Sequence, residues 1–462
     1  MSRVTIKQIA KITDGELFSK NPLEILVKSF SIDSRTIEPG QFFIAVKGEN
    51  FDGHNFVEEA AAKGAAGFII EGPAGAGLAK KAVHIIQVKN TLKAMGDIAS
   101  EIRSCAELPV ICVIGSNGKT TVKDMLSGML SSKYKVLASK RSYNNLIGLS
   151  LTLFGMNPSC EAVVLELGTN SPGEILNLSR IARPDVVVVT NIGSAHLGAF
   201  GSKGKIFEEK ISILNSLSSK GAFFFNKDDS LLSAIRSRQY NFLTQCYGRT
   251  SGSDFLISRI LQKKEGSEFF LGKNKFYVPF PGLHNVYNAS AAIASALYMG
   301  VQIREIQKAL KCVKLPDMRM ANARVDKVRF INDSYNASPE SFECALNVLQ
   351  ENQKGFLKGV VTGGMLELGP KTKEFHRKIG QSIAARGINF LIVVGDLAKD
   401  IASGALRKGM SKKQVFYADS HMDAARKIQN LEEGREKVVL LKGSRETRME
   451  EVLKCFTMFY TR

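Results

Sequence analysis

A run of five apolar residues, Val110–Ile114, is followed directly by a loop rich in glycine and hydroxyl side chains. A continuous, mostly β-branched run is typical of a strand that is buried on both faces of a parallel sheet. The loop after it is Gly115, Ser116, Asn117, Gly118, Lys119, Thr120 and Thr121, and residues 122–126 then begin an amphipathic helix. This order of strand, loop and helix predicts an α/β sheet whose edge carries an anion-binding loop.

The composition of this loop indicates a site for nucleotide phosphates. Glycine allows the backbone to curl, so that successive N–H groups and the N-terminus of the helix face an anion. Lys119 would then reach the β- and γ-phosphates, and the hydroxyl of Thr120 would bind Mg²⁺. The spacing departs from the common G-x-x-x-x-G-K-[ST] pattern, because position 113 is Val and the leading glycine is Gly115. The loop predicts ATP or GTP binding and says nothing about the reaction.

Further apolar runs alternate with segments of helical periodicity, which predicts a doubly wound parallel sheet. After the first run, the strand candidates in the middle of the chain are residues 162–167, 186–190 and 221–225. A second series follows Leu315, with strand candidates at residues 328–332, 359–362, 390–395, 414–417 and 437–441. Near the start, residues 42–46 predict a strand and residues 56–63 a helix that Gly64 ends.

The length of 462 residues suggests three domains, at about 150 residues per domain. We predict an α/β protein with a central P-loop parallel-sheet ATPase domain, flanked by a small N-terminal α/β domain and a C-terminal Rossmann-like domain. The predicted domains are residues 1–88, 89–314 and 315–462.

The formal net charge of +19 is compatible with nucleic acid, a membrane surface or anionic small molecules as partners. No block of five like charges occurs, so the excess is either diffuse surface charge or pockets for phosphates. The seven cysteines are scattered singly without a C-x-x-C pair, which argues against a disulfide framework and a zinc site. No apolar run approaches the ~18 residues that span a bilayer, and the first ten residues do not resemble a signal peptide, so we expect a cytoplasmic protein.

Two side chains follow predicted strands at the edge where the loop lies. Glu166 ends the strand after the loop helix, and His196 follows the next strand along the chain. Open α/β sheets bind ligands at the carboxyl ends of their strands, and Mg²⁺ prefers oxygen ligands. Glu166 is therefore a candidate magnesium ligand and His196 a candidate ligand-binding residue. Taken alone, such a glutamate is more often solvated and such a histidine more often structural.

Together, these features resemble the Mur ligase family, ATP-dependent amide-forming enzymes of peptidoglycan precursor synthesis. Residues 115–121, Glu166 and residues 191–196 match family-wide motifs, as do residues 282–285 with residues 288–289. Other segments resemble more specifically the branch that adds D-alanyl-D-alanine; they are residues 142–145, 196–202, 332–337, 364–369 with His376, and 442–450, together with residues 33–35 and 52–54. The resemblance covers nearly the whole chain.

The resemblance implies a ligase reaction in two steps. ATP phosphorylates the C-terminal carboxylate of UDP-N-acetylmuramoyl-tripeptide, and the amine of D-alanyl-D-alanine then attacks the acyl phosphate. The products would be UDP-N-acetylmuramoyl-pentapeptide, ADP and phosphate. A tripeptide that ends in diaminopimelate and one that ends in lysine are both compatible with the sequence.

The resemblance also implies two Mg²⁺ ions. Thr120 and Glu166 would hold the first ion, His196 the second, and a carbamylated lysine, which we place at Lys210, would help to fix the site. An unmodified ammonium, with a pKa of about 10.4, would repel Mg²⁺, whereas a carbamate is an oxygen-bearing anion. Lys210 lies in a helical pattern, where a lysine is usually a solvated ion-pair partner.

Further positions follow from the same resemblance. Asn288, Arg319 and Asp333 would contact ATP, and Arg319 could neutralise the transferring phosphoryl group only if the C-terminal domain closes over the central one. The alternative for Arg319 is an ion pair with Asp317. The catalytic residues would be Lys119, His196, Lys210 and Arg319. The substrate-binding residues would be Ser34 and Arg35 for the uridine diphosphate, Asn144 and Asn145 near the sugar-peptide and metal, Asn336, and Lys442 and Arg445 for the dipeptide carboxylate.

Three alternatives stay open at this point. A sister ligase that adds the third residue, or a folylpolyglutamate synthase, would share the motifs, although the Asp-Asn-Pro-Arg motif of the former is absent. A nucleic-acid-binding P-loop protein would explain the charge but should carry basic residues interleaved with exposed aromatics. A nucleotide-dependent switch would bind ATP without ligase chemistry. We expect a monomer whose partners are the two substrates, with no nucleic acid and no integral membrane segment.

Overall fold

The computed structural model describes residues 4–19, 26–48, 51–72, 84–141, 143–263, 265–315, 317–351, 355–431 and 435–460. Ser142, which belongs to one of the motifs above, lies outside these ranges. The described residues form three β-sheets in chain order, each accompanied by helices. The structure confirms the predicted α/β class and three-part organisation. The boundaries at residues 88 and 314 stay predictions, although no sheet among the described residues crosses them.

The N-terminal sheet has five strands, in the order Glu16–Ser19, His84–Val88, Gly67–Glu71, Phe42–Ile44 and Phe30–Ser31. The first pair is antiparallel and the other neighbours are parallel. The helices of this region are Ile6–Ile12 and Val57–Ala62, the second preceded by the 3₁₀ turn Gly53–Phe56. The predicted strand and helix of this region are both present, and Gly64 follows the helix with a φ of +87°.

The central sheet has nine strands. In spatial order they are Val136–Ala138, Ala162–Glu166, Val110–Ile114, Val186–Val189, Ala222–Asn226, Leu243–Gly248, Phe255–Lys263, Gly266–Leu271 and Asn274–Val278. The first seven run parallel, and the last two form an antiparallel extension. All four predicted strands of this region are present, whereas the sequence patterns above do not predict the antiparallel extension.

Helices cover both faces of the central sheet. They are Thr91–Ser104, Lys119–Leu130, Leu146–Phe154, Glu174–Ala182, Leu197–Phe200, Lys203–Ile211, Ser230–Ser233, Leu283–Tyr298 and Ile303–Cys312, with 3₁₀ turns at Ser212–Ser216 and Ala234–Ser237. The side chains of Val110–Ile114 are fully buried and alternate between two hydrophobic cores, one on each face of the sheet. One of these cores also includes Ile69 and Ile86 of the N-terminal sheet. The strand before the loop is therefore held on both faces, and the first two regions share a core.

The C-terminal sheet has six strands, in the order Ala321–Val325, Val328–Asp333, Lys437–Gly443, Leu357–Gly364, Phe390–Val394 and Val415–Ala418. The first pair is antiparallel and the other neighbours are parallel. Its helices are Pro339–Glu351, Thr372–Ala385, Lys399–Arg407, His421–Asn430 and Glu450–Met458, with 3₁₀ turns at Gly369–Lys371, Asp396–Ala398, Lys412–Gln414 and Arg445–Thr447. The five predicted strands are confirmed, and the antiparallel edge strand is an addition. Within the described ranges, no helix has the length and apolar character needed to cross a membrane.

Candidate active site

A cavity of about 820 Å³ lies where the carboxyl ends of the central strands meet the C-terminal region. Most of the predicted site residues line it; they are Ser116, Asn117, Gly118, Lys119, Thr120, Thr121, Asn144, Asn145, Glu166, His196, Lys210, Asn288, Arg319, Asp333, Asn336, Lys442 and Arg445. Gly115, Ser34 and Arg35 are not among the described lining residues. The fold therefore gathers residues from Ser116 to Arg445, which lie far apart in the sequence, around one space.

Two glycines give the phosphate loop, residues 115–121, its shape. Gly115 and Gly118 have φ angles of +143° and +83°, which glycine adopts at little cost. A Cβ atom on Gly115 would lie 1.9 Å from Thr190 Oγ1, and one on Gly118 would lie 2.3 Å from Asn288 Oδ1. Neither position accepts a side chain, because residues far along the chain pack directly against the loop.

Asn191, in the turn after the strand Val186–Val189, holds the phosphate loop from the side. Its carbonyl accepts a hydrogen bond from Ser116 N–H at 2.9 Å, and its side-chain oxygen accepts one from Asn117 N–H at 3.0 Å. Its side-chain amide donates to the Asn117 carbonyl, also at 3.0 Å. Sequence reasoning assigned no role to Asn191 beyond its place in a family motif. The structure shows that this side chain braces the loop.

Lys119 begins the helix Lys119–Leu130 and folds back along the loop. Its ammonium donates hydrogen bonds to the carbonyls of Gly115 at 2.9 Å and Ser116 at 3.3 Å. Burial lowers the pKa of Lys119; the charge of Glu166 opposes this shift, and that of Arg319 adds to it. A polyphosphate in the cavity would place negative charge beside this ammonium and stabilise its charged form.

Glu166 carries the clearest signal for a cation. It is 1% exposed, and one carboxylate oxygen accepts a hydrogen bond from Asn144 Nδ2 at 2.9 Å. The other oxygen, Oε2, is buried and has no hydrogen-bond partner among the described residues. Buried polar atoms are nearly always satisfied, so an unpaired carboxylate oxygen at this cavity fits a bound cation. The hydroxyl-bearing side chain of Thr120, also buried, lines the same cavity.

His196 begins the short helix Leu197–Phe200 and has a φ of +60°. Its ring Nδ1 lies 2.6 Å from Glu367 Oε2, which belongs to the C-terminal region. The hydrogen bond with His196 lowers the pKa of Glu367. The part of the chain that the structure describes holds no cluster of three or more His, Cys, Asp or Glu side chains that could enclose a metal ion.

Lys210 is buried in the last turn of the helix Lys203–Ile211 and is 3% exposed. The alternative of a solvated ion pair is therefore wrong. The neighbouring carboxylate of Glu209 accepts hydrogen bonds from the N–H groups of Gly173 at 2.7 Å and Ile175 at 2.8 Å. Burial, together with the charge of Lys119, lowers the pKa of Lys210 to about 7. Near neutral pH, a large part of this amine is therefore uncharged.

Arg319 faces the phosphate loop from the C-terminal region. Its Nη2 donates a hydrogen bond to Thr120 Oγ1 at 3.0 Å, and its guanidinium carbon lies 4.3 Å from the centre of the Tyr335 ring. Its Nε is buried and has no partner among the described residues. Both Arg319 and Asp317 are described by the structure, and they form no ion pair with each other. The alternative role of Arg319 as the ion-pair partner of Asp317 is therefore wrong. The cationic side chain is instead held at the phosphate loop.

Lys442 is 1% exposed and forms an ion pair with Asp333. It also donates to the carbonyls of Asn336 at 3.2 Å and Asp333 at 3.4 Å. An ammonium has three donors, and these contacts engage all of them. Lys442 therefore orders residues 333–336, which argues against its predicted role at the dipeptide carboxylate. Arg445 is half-exposed and donates to Glu450 at 2.7 Å, which leaves further guanidinium donors for a ligand.

Three asparagines at the cavity have structural contacts as well. Asn145 accepts a hydrogen bond at 2.9 Å from a backbone N–H in the first turn of the helix Leu146–Phe154, which it caps. Asn336 accepts one at 2.8 Å from the backbone N–H of the next residue. Asn288 is 7% exposed and packs against Gly118. Each of these side chains thus has a fixed orientation at the cavity.

Glu340, in the first turn of the helix Pro339–Glu351, docks the C-terminal region onto the central one. Its carboxylate accepts hydrogen bonds from Ser194 N–H at 3.1 Å and from Ser194 Oγ at 2.8 Å, and it pairs with Lys203 at 2.8 Å. One residue before that helix, Ser338 Oγ donates to the side-chain oxygen of Asn117 at 3.1 Å. Sequence reasoning missed Glu340, because an acidic residue in the first turn of a helix is already explained by the helix dipole.

Ser34 and Arg35 lie in the N-terminal region, away from the cavity lining. Ser34 is buried and donates to Glu59 Oε2 at 2.9 Å, and Lys63 donates to the Ser34 carbonyl at 3.1 Å. Arg35 is exposed and pairs with Asp33 at 2.8 Å. The hydrogen bond from Arg35 lowers the pKa of Asp33 to about 2. The role of these residues at a uridine diphosphate stays a prediction.

Comparison with known proteins adds three kinds of similarity. Residues 26–103 match the Mur ligase family catalytic domain, residues 113–296 the Mur ligase middle domain, and residues 318–445 the Mur ligase glutamate ligase domain. A UDP-N-acetylmuramoyl-tripeptide--D-alanyl-D-alanine ligase of Bacillus subtilis (strain 168) is 36% identical over 459 residues, which are 98% of either chain.

Two solved structures resemble the whole fold. A crystal structure of MurF from Acinetobacter baumannii has a TM-score of 0.90 at 30% identity and covers 99% of both chains. A crystal structure of MurF ligase from Thermotoga maritima in complex with ADP has a TM-score of 0.81 at 28% identity; the match covers 94% of this chain and 97% of that one. The similarity extends through all three sheets.

Proposed function

The chain belongs to the Mur ligase family, and we propose that it joins D-alanyl-D-alanine to UDP-N-acetylmuramoyl-tripeptide in an ATP-dependent reaction. The observation that carries this proposal is the single cavity in which the phosphate loop, the unpaired Glu166 oxygen and the Arg319 guanidinium meet. The substrates come from the relatives that match along their full length, which favours this reaction over that of a sister ligase or a folylpolyglutamate synthase. The product enters peptidoglycan synthesis.

The chemical problem is the approach of two anions. The terminal carboxylate of the tripeptide must attack the γ-phosphorus of ATP, giving an acyl phosphate and ADP, and the amine of the dipeptide then displaces phosphate from the acyl carbon. Backbone N–H groups of the phosphate loop beyond Asn117 would bind the polyphosphate, and Lys119 and Arg319 would approach it from opposite regions. Because these donors are already oriented, their charge stabilises the transferring group with little rearrangement.

We propose that two Mg²⁺ ions accompany ATP. Thr120 and Glu166 would hold the first ion and His196 the second, while a carbamylated Lys210 would help to fix the site. Bound Mg²⁺ neutralises charge on phosphoryl oxygens. The buried Glu166 Oε2 supports the assignment of the first ion, and the lowered pKa of the buried Lys210 amine supports the carbamate. A neutral amine attacks CO₂, forms the N–C bond and releases one proton, so a pKa of about 7 favours the carbamate.

The remaining assignments distribute the substrates around the cavity. Asn288 and Asp333 would contact ATP, and Asn144, Asn145 and Asn336 the sugar-peptide side. For the dipeptide carboxylate, Arg445 is preferred over Lys442, since the Lys442 ammonium is already engaged by Asp333 and Asn336. Ser34 and Arg35 would anchor the uridine diphosphate from the N-terminal region. The cytoplasmic location and monomeric state also stay proposals.

A product assay tests this function directly. The purified protein is mixed with ATP, Mg²⁺ and UDP-N-acetylmuramoyl-tripeptide, and with either D-alanyl-D-alanine, a single D-alanine or L-alanyl-L-alanine. Mass spectrometry of the product should show the gain of one dipeptide in the first mixture, with one ADP and one phosphate for each product. ATP hydrolysis without a new amide, or addition of a single amino acid to a shorter precursor, would contradict the proposal.

A further inference from the structure

The motif Gly364-Met365-Leu366-Glu367-Leu368-Gly369 has no task in the reaction described above. It follows the strand Leu357–Gly364 and extends from the C-terminal region to the central one. Its Glu367 carboxylate lies 2.6 Å from His196 Nδ1, within hydrogen-bond distance. The same glutamate accepts a backbone hydrogen bond at its carbonyl from Gly198 N–H, at 2.8 Å. Two contacts therefore join this motif to the residues around His196.

The two backbones approach more closely than side chains would permit. A Cβ atom on Gly369 would lie 2.7 Å from Gly198 Cα, and one on Gly198 would lie 3.0 Å from the backbone nitrogen of Gly369. His196 and Glu367 both have left-handed backbone conformations, with φ angles of +60° and +64°. Such conformations are uncommon outside glycine and persist only where surrounding contacts hold them. The close backbone contact and the two left-handed residues therefore show that the two regions fit each other specifically at this point.

The motif is also fixed within the C-terminal region. His376 Nε2 accepts a hydrogen bond from Met365 N–H at 2.8 Å, and Ser444 Oγ accepts one from Leu366 N–H at 2.8 Å. Both accepting residues are buried. The Glu367 carboxylate therefore moves with the C-terminal region as a unit and meets His196 only when that region is docked.

We propose that Glu367 is a positioning residue for His196 that acts across the interface between the two regions. An ionised carboxylate only accepts hydrogen bonds, so the ring carries its hydrogen on Nδ1 and keeps the lone pair on Nε2. Nε2 is then the nitrogen available to a cation, and docking of the C-terminal region selects the ring form in which it is available. This inference rests on the proposed function, because it adds a condition to the role of His196 at the second ion.

The NMR signals of the two His196 ring nitrogens show directly which nitrogen carries the hydrogen. The full chain has six histidines, so ¹⁵N labelling of their rings and a His196→Gln spectrum identify the His196 signals. Spectra are recorded at pH 8 with chelator present, both for the free protein and with a non-hydrolysable ATP analogue. We expect the Nδ1–H form in the docked protein. In Glu367→Ala, the two neutral ring forms should become mixed.

Two further variants make the test independent of one substitution. Gly369→Ala keeps the Glu367 carboxylate but would place a Cβ atom 2.7 Å from Gly198 Cα in the docked protein, so it should hinder docking and also mix the ring forms. Glu374→Ala removes an exposed glutamate that pairs with Lys378 on its own helix, and it should leave the His196 signals unchanged. In assays, Glu367→Ala should raise the Mg²⁺ concentration for half-maximal activity about tenfold, as loss of a ligand-orienting partner typically does.

The outcomes separate this inference from the proposed function. If the native protein shows no Nδ1–H preference in either state, or if Glu367→Ala and Gly369→Ala leave it intact, the inference is wrong even when the ligase assay succeeds. If the ring form depends on Glu367 but the product assay shows no amide, the proposed function fails and the positioning of His196 stands.

Discussion

The two walls of the cavity are built in different ways. One wall is the phosphate loop, seven consecutive residues that follow a fully buried strand and are braced by Asn191. The opposite wall is made of Arg319, Glu340 and Glu367, which are separated from one another along the chain and belong to the C-terminal region. The first wall is a local structure that the sequence order produces directly. The second exists only when two regions are docked.

The two walls also differ in what stabilises them. The phosphate loop extends from a strand whose side chains fill two hydrophobic cores. The three side chains of the opposite wall reach the central region through polar contacts, such as Arg319 with Thr120 and Glu340 with Ser194. A hydrogen bond contributes about 0.5–1.5 kcal/mol net, so a few of them form and break readily. We therefore expect a permanent loop and a conditional opposite wall, and the variants below test that difference.

Arg319→Ala should have the largest effect, because it removes a guanidinium that the opposite wall holds directly at the phosphate loop. Loss of such an arginine in phosphoryl transfer typically lowers kcat by about 10³-fold or more. Steady-state phosphate release with both substrates measures the change. Arg324→Ala is a matched control, since Arg324 pairs with Glu436 at the surface of the same region. Turnover within about threefold of the native rate would show that Arg319 does not stabilise the transferring phosphoryl group.

Lys119→Ala tests the permanent wall. The change removes a positive charge at the loop and should lower kcat by about 10²–10³-fold, as loss of one preorganised donor does. The fold should stay intact, because Lys119 donates to loop carbonyls and is not part of a hydrophobic core. Turnover and a thermal unfolding curve measure the two effects. Lys135→Ala, at an exposed position of the same region, should be active, and unchanged turnover of Lys119→Ala would contradict the phosphate-loop assignment.

The sequence predicted the first wall better than the second, for a physical reason. Strand, glycines, Lys119 and Thr120 are contiguous, so their order alone indicates the shape of the loop and its chemistry. Glu340 and Glu367 act through contacts with Ser194 and His196, which only the packing of two sheets brings near. Glu340 resembles an ordinary glutamate at the start of a helix, and the motif that contains Glu367 indicates no contact partner for its carboxylate.

The fold shows the same division. Continuous apolar runs identified the buried parallel strands of the central and C-terminal sheets. Five strands of the central sheet were not predicted, because half-buried or exposed positions make up or interrupt them; they are Val136–Ala138, Leu243–Gly248, Phe255–Lys263, Gly266–Leu271 and Asn274–Val278. Lys442 is a similar case in the site: the resemblance implied a contact with the dipeptide carboxylate, whereas the structure shows a buried ion pair with Asp333, which the sequence pattern does not indicate.

Lys210→Ala should lower turnover by about 10²-fold, a typical loss for one preorganised electrostatic group, and small carboxylic acids should partly restore it. The native enzyme should also lose activity as the pH falls below about 7, because protonation of Lys210 removes the amine that reacts with CO₂. Added bicarbonate should shift that loss to lower pH. Lys205→Ala, an exposed lysine on the same helix, is the matched control. Full activity of Lys210→Ala, with no response to acids, would make Lys210 an ordinary buried lysine.

Glu340→Gln should have the smallest effect and the most specific one. It removes the charge that holds Ser194 and Lys203 but leaves the phosphate loop untouched. We expect kcat/KM to fall about tenfold, which corresponds to the roughly 1.4 kcal/mol lost with one charge-assisted hydrogen bond. Affinity for ADP alone should not change, since the loop that binds its phosphates is preformed.

Measurements of kcat/KM and of ADP affinity together distinguish the conditional wall from the permanent one. A third measurement, small-angle scattering of Glu340→Gln with nucleotide, should show a larger radius of gyration than the native protein, because the C-terminal region is docked less of the time. Glu374→Gln, which changes a glutamate that pairs with Lys378 of its own helix, should match the native protein in kcat/KM, ADP affinity and radius of gyration. If Glu340→Gln weakens ADP binding as much as it lowers kcat/KM, the phosphate loop itself depends on docking, and the contrast between a permanent and a conditional wall is wrong.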